Sequence, residues 1–269
     1  MNCCICGPVK NCGKYLDKVL NNIEKIGALF DEYDIIIYYD KSCDNTLDKL
    51  KKYQIKNPKL NFYVNNVPVS QYRTHRIANA RNYCLNYIKQ NKEKYKFFIM
   101  MDFDDPNSKF CNTDILQKYL TRNDWDGLSF NTSPKYYDIW GLSIYPYCFS
   151  YNHFKNNVQN YSIIQDYVTT KLSKVPKDCL LPCISSFNGF SIYRTNMFLN
   201  TYYDGRVRKD LLPSHFLKAH STAANSQLIY KDYGNVNGYY EDCEHRSFHI
   251  QAITNSGAKI MISPEIVFL

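Results

Sequence analysis

The sequence predicts an α/β fold: a mostly parallel sheet covered by helices, with a smaller, irregular region in the second half. Three observations predict it. Two dense apolar runs, Asp34 to Tyr39 (DIIIYY) and Lys96 to Met101 (KFFIMM), have the unbroken hydrophobicity of strands buried on both faces. Around them, apolar residues recur at three- and four-residue spacing, which is helical. Strand and helix then alternate as far as residue 131, an order that calls for crossover connections and parallel pairing.

Residues 2–6 read as a first strand in which Cys3, Cys4 and Cys6 serve as small apolar side chains. Tyr15, Leu16, Val19, Leu20, Ile23, Ile26 and Phe30 mark an amphipathic helix. The DIIIYY strand comes next, then a short helix with Leu47, Leu50 and Tyr53, capped by Asn45 or Thr46, then a strand over 60–64. A long helix spans 74–90, with Ile77, Ala80, Arg81, Cys84, Leu85 and Ile88 on roughly one side. KFFIMM runs straight into Asp102-Phe103-Asp104-Asp105-Pro106, where proline ends extended pairing. A helix at 113–120 and a strand near 126–131 complete the first half. Residues 136–183, rich in tyrosine, proline and cysteine, predict long loops, a small antiparallel piece and one helix near 160–172. Ser185 to Tyr193 (SSFNGFSIY) alternates around Gly189 and reads as strand. Residues 204–240 read as loop, a helix starts near Glu241, and 258–262 is the last strand.

At 269 residues the chain is the size of one large domain. With 45% hydrophobic residues it buries a real core, which excludes intrinsic disorder. The net charge is +8, but only eight residues are arginine and the lysines form no block larger than Lys49, Lys51 and Lys52. Nucleic-acid binding is therefore not favoured, and an anionic small molecule suits the charge equally well. Eleven cysteines, an odd number with several in apolar runs, fit a reducing compartment. A zinc site from Cys3, Cys6 and Cys12 lacks a later CxxC to complete it. No run has transmembrane length and no signal peptide opens the chain, so a soluble, cytoplasmic protein is expected.

The chemistry is expected where KFFIMM ends, because ligands of α/β sheets bind beyond the carboxyl ends of the strands. Asp102 and Asp104 are two apart and point the same way in extended chain, away from Phe103. Such oxygen ligands can hold Mg²⁺ or Mn²⁺ together with the phosphates of a nucleotide, the blander alternative being a solvated acidic turn. Asp40 ends a second buried strand, in Asp40-Lys41-Ser42-Cys43-Asp44-Asn45-Thr46, placed to accept from a base N–H or, as the blander alternative, to shape a turn. Arg76 and Arg81 lie five apart on the third helix, and one of them suits a diphosphate. A late cluster, Glu241-Asp242-Cys243-Glu244-His245 with His249, places 242, 245 and 249 on one helix face. An acid there can deprotonate a hydroxyl and a histidine can bind a metal. Surface charge at a helix start is the competing reading.

Taken in order, DKSCD at 40–44, RIANARN at 76–82, DFDD at 102–105, FNG at 187–189 and EDCEH at 241–245 resemble a GT-A type glycosyltransferase, in particular the capsule-associated mannosyltransferase-like group. The opening Val9-Lys10-Asn11 resembles the nucleotide-binding start of such enzymes, and FNG the strand lining their donor and acceptor cleft. The resemblance implies one catalytic domain over 1–269, with a nucleotide-binding half (1–131) and an acceptor-binding, catalytic half (132–269). It implies a nucleoside diphosphate sugar donor, UDP-sugar before GDP-sugar, and a hydroxyl of a glycan or glycoconjugate as acceptor. Lys10, Asp40, Arg76, Arg81 and Asp102 would bind the nucleotide. Asp104 and Asp102, with His245 or His249, would hold Mn²⁺ or Mg²⁺. Asp242 or Glu241 would be the base of an inverting enzyme. Apart from the resemblance, Trp140, Tyr145 and Tyr147 could form a stacking wall for the acceptor, with ordinary packing the stronger alternative at 16% aromatic content. Two rivals remain: a nucleotidyltransferase, for which the early segment is poor in glycine, and a non-catalytic nucleotide- or nucleic-acid-binding protein.

Overall fold

Apolar strands and amphipathic helices assemble into one mixed sheet with helices on its faces. The computed structural model describes residues 1–229 and 241–269. The first half is built from β1 (Asn2–Val9), α1 (Gly13–Gly27), β2 (Glu32–Asp40), α2 (Thr46–Lys56), β3 (Leu60–Asn65), α3 (Arg73–Gln90), β4 (Phe97–Met101), α4 (Thr113–Leu120) and β5 (Gly127–Asn131). The second half contributes α5 (Asn157–Lys174), β6 (Leu181–Pro182), β7 (Phe190–Arg194), α6 (Ser214–Ala223), α7 (Glu244–Ser256) and β8 (Ile260–Ile266). The strands lie in the order β3-β2-β1-β4-β7-β5-β8-β6. β3, β2, β1 and β4 are parallel, as are β5 and β8, whereas β7 runs antiparallel between β4 and β5. This is the mostly parallel, helix-covered α/β architecture of the GT-A class.

Strand alternation divides the core. On β1, Cys3 and Ile5 face the layer of α1, where Leu16, Val19, Leu20, Ile23 and Ile26 are buried. Cys4 and Cys6 face the opposite layer, with Cys84, Leu85 and Ile88 of α3. Each such aliphatic side chain contributes about 1.5–3 kcal/mol by burial. The same alternation separates Cys3 from Cys6, so they share no metal, and all eleven cysteines are free.

The second half departs from expectation in three places. The segment before β7 is not strand, because Asn188 (φ 55°) and Gly189 (φ 80°) turn left-handed and pairing begins only at Phe190. A Cβ on Gly189 would also meet the Tyr137 hydroxyl at 2.2 Å, so the tight turn requires glycine. The stretch 204–240 holds α6, and its last eleven positions, with Tyr239 and Tyr240 before the acidic cluster, lie outside the described residues. The late helix begins at Glu244, not 241. Among the described residues no helix is long and apolar enough to cross a membrane.

Candidate active site

Parallel pairing brings the carboxyl ends of β1, β2 and β4 to one edge of the sheet, and the main cleft, about 440 Å³, opens there. Lys10, Asp40, Asp102 and Asp104 leave these strands and line it, together with Arg73, Arg76 and Arg81 of α3. Its far wall comes from the second half: Tyr137, Asp138, Trp140, Phe187, Cys243, Glu244 and His245.

On the strand side most charges are paired. Lys10 Nζ donates to Asp40 Oδ2 at 3.0 Å, and Asn65 Nδ2 donates to Asp40 Oδ1 at 3.1 Å. Arg81, almost wholly buried, lies over the Phe187 ring at 4.4 Å and bridges two acids. Its Nε donates to Glu244 Oε1 at 2.7 Å and its Nη2 to Asp102 Oδ1 at 2.9 Å, while Nη1 has no partner among the described residues. Burial alone would lower the guanidinium's pKa, but Asp102 and Glu244 raise it. Burial pushes the Glu244 carboxyl up more than Arg81 pulls it down. The short charge-assisted contact leads us to read the pair as ionised nonetheless.

Asp104 stands open to the cleft, and among the described residues no lysine or arginine forms an ion pair with it. Its carboxyl is pushed up to about 7 by the protein around it, and then by the charges of Asp102 and Asp105. Among the described residues no three His, Cys, Asp or Glu side chains form a metal cage. The carboxylates that the β4 end brings to the cleft are a pair, Asp102 and Asp104. Two crowded carboxylates suit a hard cation that completes its shell with substrate phosphate oxygens.

FNG ties this strand end to the far wall. Gly189 O accepts from Asp102 N at 2.9 Å and from Asn107 Nδ2 at 2.7 Å. Buried Asn188 offers Oδ1 to the amides of Tyr137 and Asp138 at 3.2 and 3.1 Å, and its own N donates to Asp138 Oδ2 at 3.3 Å. Asp138 Oδ1 accepts from Gly141 N at 3.1 Å. Asp138, half-buried and facing the cleft, has its carboxyl raised, chiefly by burial and partly by the Asp102 charge. Nothing in the pattern YYDIW at 136–140 singles this residue out, so reasoning from sequence misses it.

The late cluster is split by the true helix start. Glu241 accepts from Thr74 N at 2.8 Å, covering an unpaired amide at the start of α3. Asp242, buried, bonds Arg246 Nε at 2.9 Å and does not line the cleft. Arg246 Nη1 donates to Leu142 O at 2.9 Å and to Ser143 Oγ, and its Nη2 to Trp140 O. This buried pair therefore staples the loop that carries Asp138 and Trp140. His249 sits in the core, with Ser185 Oγ at 3.0 Å from Nδ1 and the Tyr193 hydroxyl at 3.1 Å from Nε2, and burial drops its pKa to about 3. The geometry thus brings neither Asp242, Glu241 nor His249 to the cleft. His245 does line it, stacked on Phe187 at 3.8 Å and held neutral by burial and by Arg81; its ring nitrogens make no hydrogen bond among the described residues, and Nε2 lies 3.7 Å from Glu244 Oε1. Of the expected stacking wall only Trp140 lines the cleft: Tyr145 is 61% exposed beside Phe216, and Tyr147 packs on Tyr167 and His220.

Residues 4–164, more than half of the chain, match the profile of glycosyl transferase family 2. An uncharacterized glycosyltransferase of Mycoplasma genitalium is 28% identical over 134 residues, 49% of this chain and 40% of that protein, so the match spans about two fifths of the relative's length. Among solved structures, S. aureus TarS 1-349 in complex with UDP-GlcNAc aligns over 90% of this chain and 57% of its own at 16% identity and a TM-score of 0.41. Mannosyltransferase PcManGT from Pyrobaculum calidifontis in complex with GDP-Man and Mn²⁺ aligns over 86% and 55% at 12% identity and a TM-score of 0.41. Likeness at that level says nothing of this chain's donor, metal or acceptor.

Proposed function

The chain belongs to glycosyl transferase family 2, and on that premise we propose that it moves a sugar from a nucleoside diphosphate sugar to a hydroxyl of a glycan or glycoconjugate. The observation that carries this reading is the cleft itself, where Lys10–Asp40, Arg81–Asp102 and the exposed Asp104 converge at three strand ends. Lys10 and Asp40 would take the nucleoside end, with the Asp40 carboxylate accepting from N3–H of uracil. Arg76, whose Nη1 is occupied by the carbonyls of Ser70 and Gln71, keeps its remaining N–H groups for the diphosphate. Asp102 and Asp104 would hold Mn²⁺ or Mg²⁺, and His245 can add a neutral nitrogen. When bound, the cation offsets the charge that builds on the departing diphosphate.

The remaining chemistry belongs to the chain. An acceptor hydroxyl attacks the anomeric carbon as the bond to the diphosphate oxygen breaks, and the electron pair leaves with the nucleoside diphosphate. The hydroxyl proton goes to Asp138, whose raised carboxyl suits a general base, giving an inverted product. Asp102, held by Arg81 and by the Gly189 carbonyl, keeps its orientation throughout.

Asp104→Ala should stay folded, because the side chain is exposed, yet lose metal-dependent donor binding. Calorimetry with and without chelator measures this, and equal donor affinity in the two conditions would sink the metal assignment. A thermal-shift panel of UDP- and GDP-sugars tests the donor: the UDP-sugars are expected to stabilise the protein most. A selective GDP-sugar shift would refute the uridine preference and leave the transfer reading intact.

A further inference from the structure

We propose, resting on the transfer reading above, that the acceptor is an anion: a sugar or polyol carrying a phosphate or carboxylate, recognised by Arg73 beside Trp140. The cleft's four cations are not equivalent. Lys10 is matched by Asp40, and Arg81 by Asp102 and Glu244. Arg76 donates to two backbone carbonyls. Arg73 alone, among the described residues, has neither ion pair nor hydrogen bond, and its exposed guanidinium lies 5.9 Å over the Trp140 ring. A nucleoside diphosphate sugar carries two negative charges and Asp104 a third; a divalent cation and Arg76 together balance them, so the donor does not consume Arg73.

Arg73 opens α3, whose second amide is already taken by the Glu241 carboxylate at 2.8 Å, so the cation offered there is the Arg73 guanidinium itself. Trp140 presents its indole to the cleft, with a buried Nε1–H that has no partner among the described residues. Asp138 stands two residues earlier on the same stapled loop. The loop and Arg73 thus offer, in sequence, a proton acceptor for the attacking hydroxyl, a flat face for the acceptor ring, and a guanidinium for an oxyanion. A neutral glycan would leave that guanidinium without use, whereas a phosphate or carboxylate accepts its fork in bidentate fashion.

The test needs no turnover. Methyl glucoside, methyl glucuronide and glucose 6-phosphate are titrated calorimetrically into the protein loaded with UDP and Mn²⁺. The two anionic probes should bind about tenfold or more tightly than the neutral one, the worth of a charged hydrogen bond. Comparing them separates carboxylate from phosphate as the preferred group. R73A should erase the difference, and R73K should restore part of it, while UDP affinity stays within twofold. Equal binding of neutral and anionic probes, absence of binding by both anions, or undiminished discrimination in R73A would each overturn the proposal. So would an R73A loss that falls on UDP instead. Failure of every nucleotide sugar to bind would instead overturn the transfer reading, since the anion comparison is read separately.

Discussion

Arg246→Ala is expected to lower the unfolding free energy by about 3–5 kcal/mol, the cost of leaving one member of a buried ion pair alone. Arg246 and Asp242 are each 2% exposed. Truncation strands the Asp242 carboxylate and removes the donors that hold the carbonyls of Trp140 and Leu142. At about 2–4 °C per kcal/mol for a chain near this size, the melting temperature should fall by roughly 6 °C or more. Asp242→Asn keeps an acceptor for Arg246 and should lose less. A double replacement of both residues by apolar side chains should recover part of the loss, because the partner's desolvation penalty goes with it. A melting temperature unchanged in Arg246→Ala would mean that water reaches the pair and that the loop is held by other bonds.

Asp138→Asn should cut sugar transfer about 10²-fold or more while donor binding persists, because the general base is lost and the shape is kept. Stability should move the other way. The Asp138 carboxyl is raised in the folded protein, so between its unfolded and folded values the native state holds the extra proton. Folding stability contributed there falls as pH rises through that window, and above it the ionised group is a burden that asparagine removes. The variant should therefore melt at or above the parent's temperature while turning over poorly, and parental transfer should itself decline as pH drops through the raised value. If Asp242→Asn loses transfer and Asp138→Asn does not, the base lies in the late acidic pair after all.

The parallel half is legible in the sequence because fully buried strands leave continuous apolar runs: DIIIYY forms β2 and KFFIMM forms β4. The strand side of the candidate cleft is legible for the same reason, since Asp40, Asp102 and Asp104 stand at or just after the ends of those runs. Arg81 falls on the expected face of α3, but its partner Glu244 is 163 residues away, and no local pattern reports such a pairing. Within the late cluster, the expected face keeps His245 and His249 together but not Asp242. The helix starts at Glu244, so Asp242 precedes it and turns inward to Arg246. Asp138 reaches the cleft through the left-handed Asn188 turn, 50 residues later in the chain, which composition does not reveal.

The antiparallel β7 sits in the middle of the sheet although it is among the last strands made. As the chain leaves the ribosome, β4 emerges with one edge unsatisfied and keeps it so for roughly ninety residues of synthesis, at ordinary rates about five to twenty seconds. Met101, the last residue of β4, finds its partner only when Phe190 arrives. Nascent chains cut short anywhere between these points would carry an apolar strand edge into solution, a template for pairing with another copy. The first half cannot be harvested as a truncation ending at 131: it would precipitate rather than stay folded in solution.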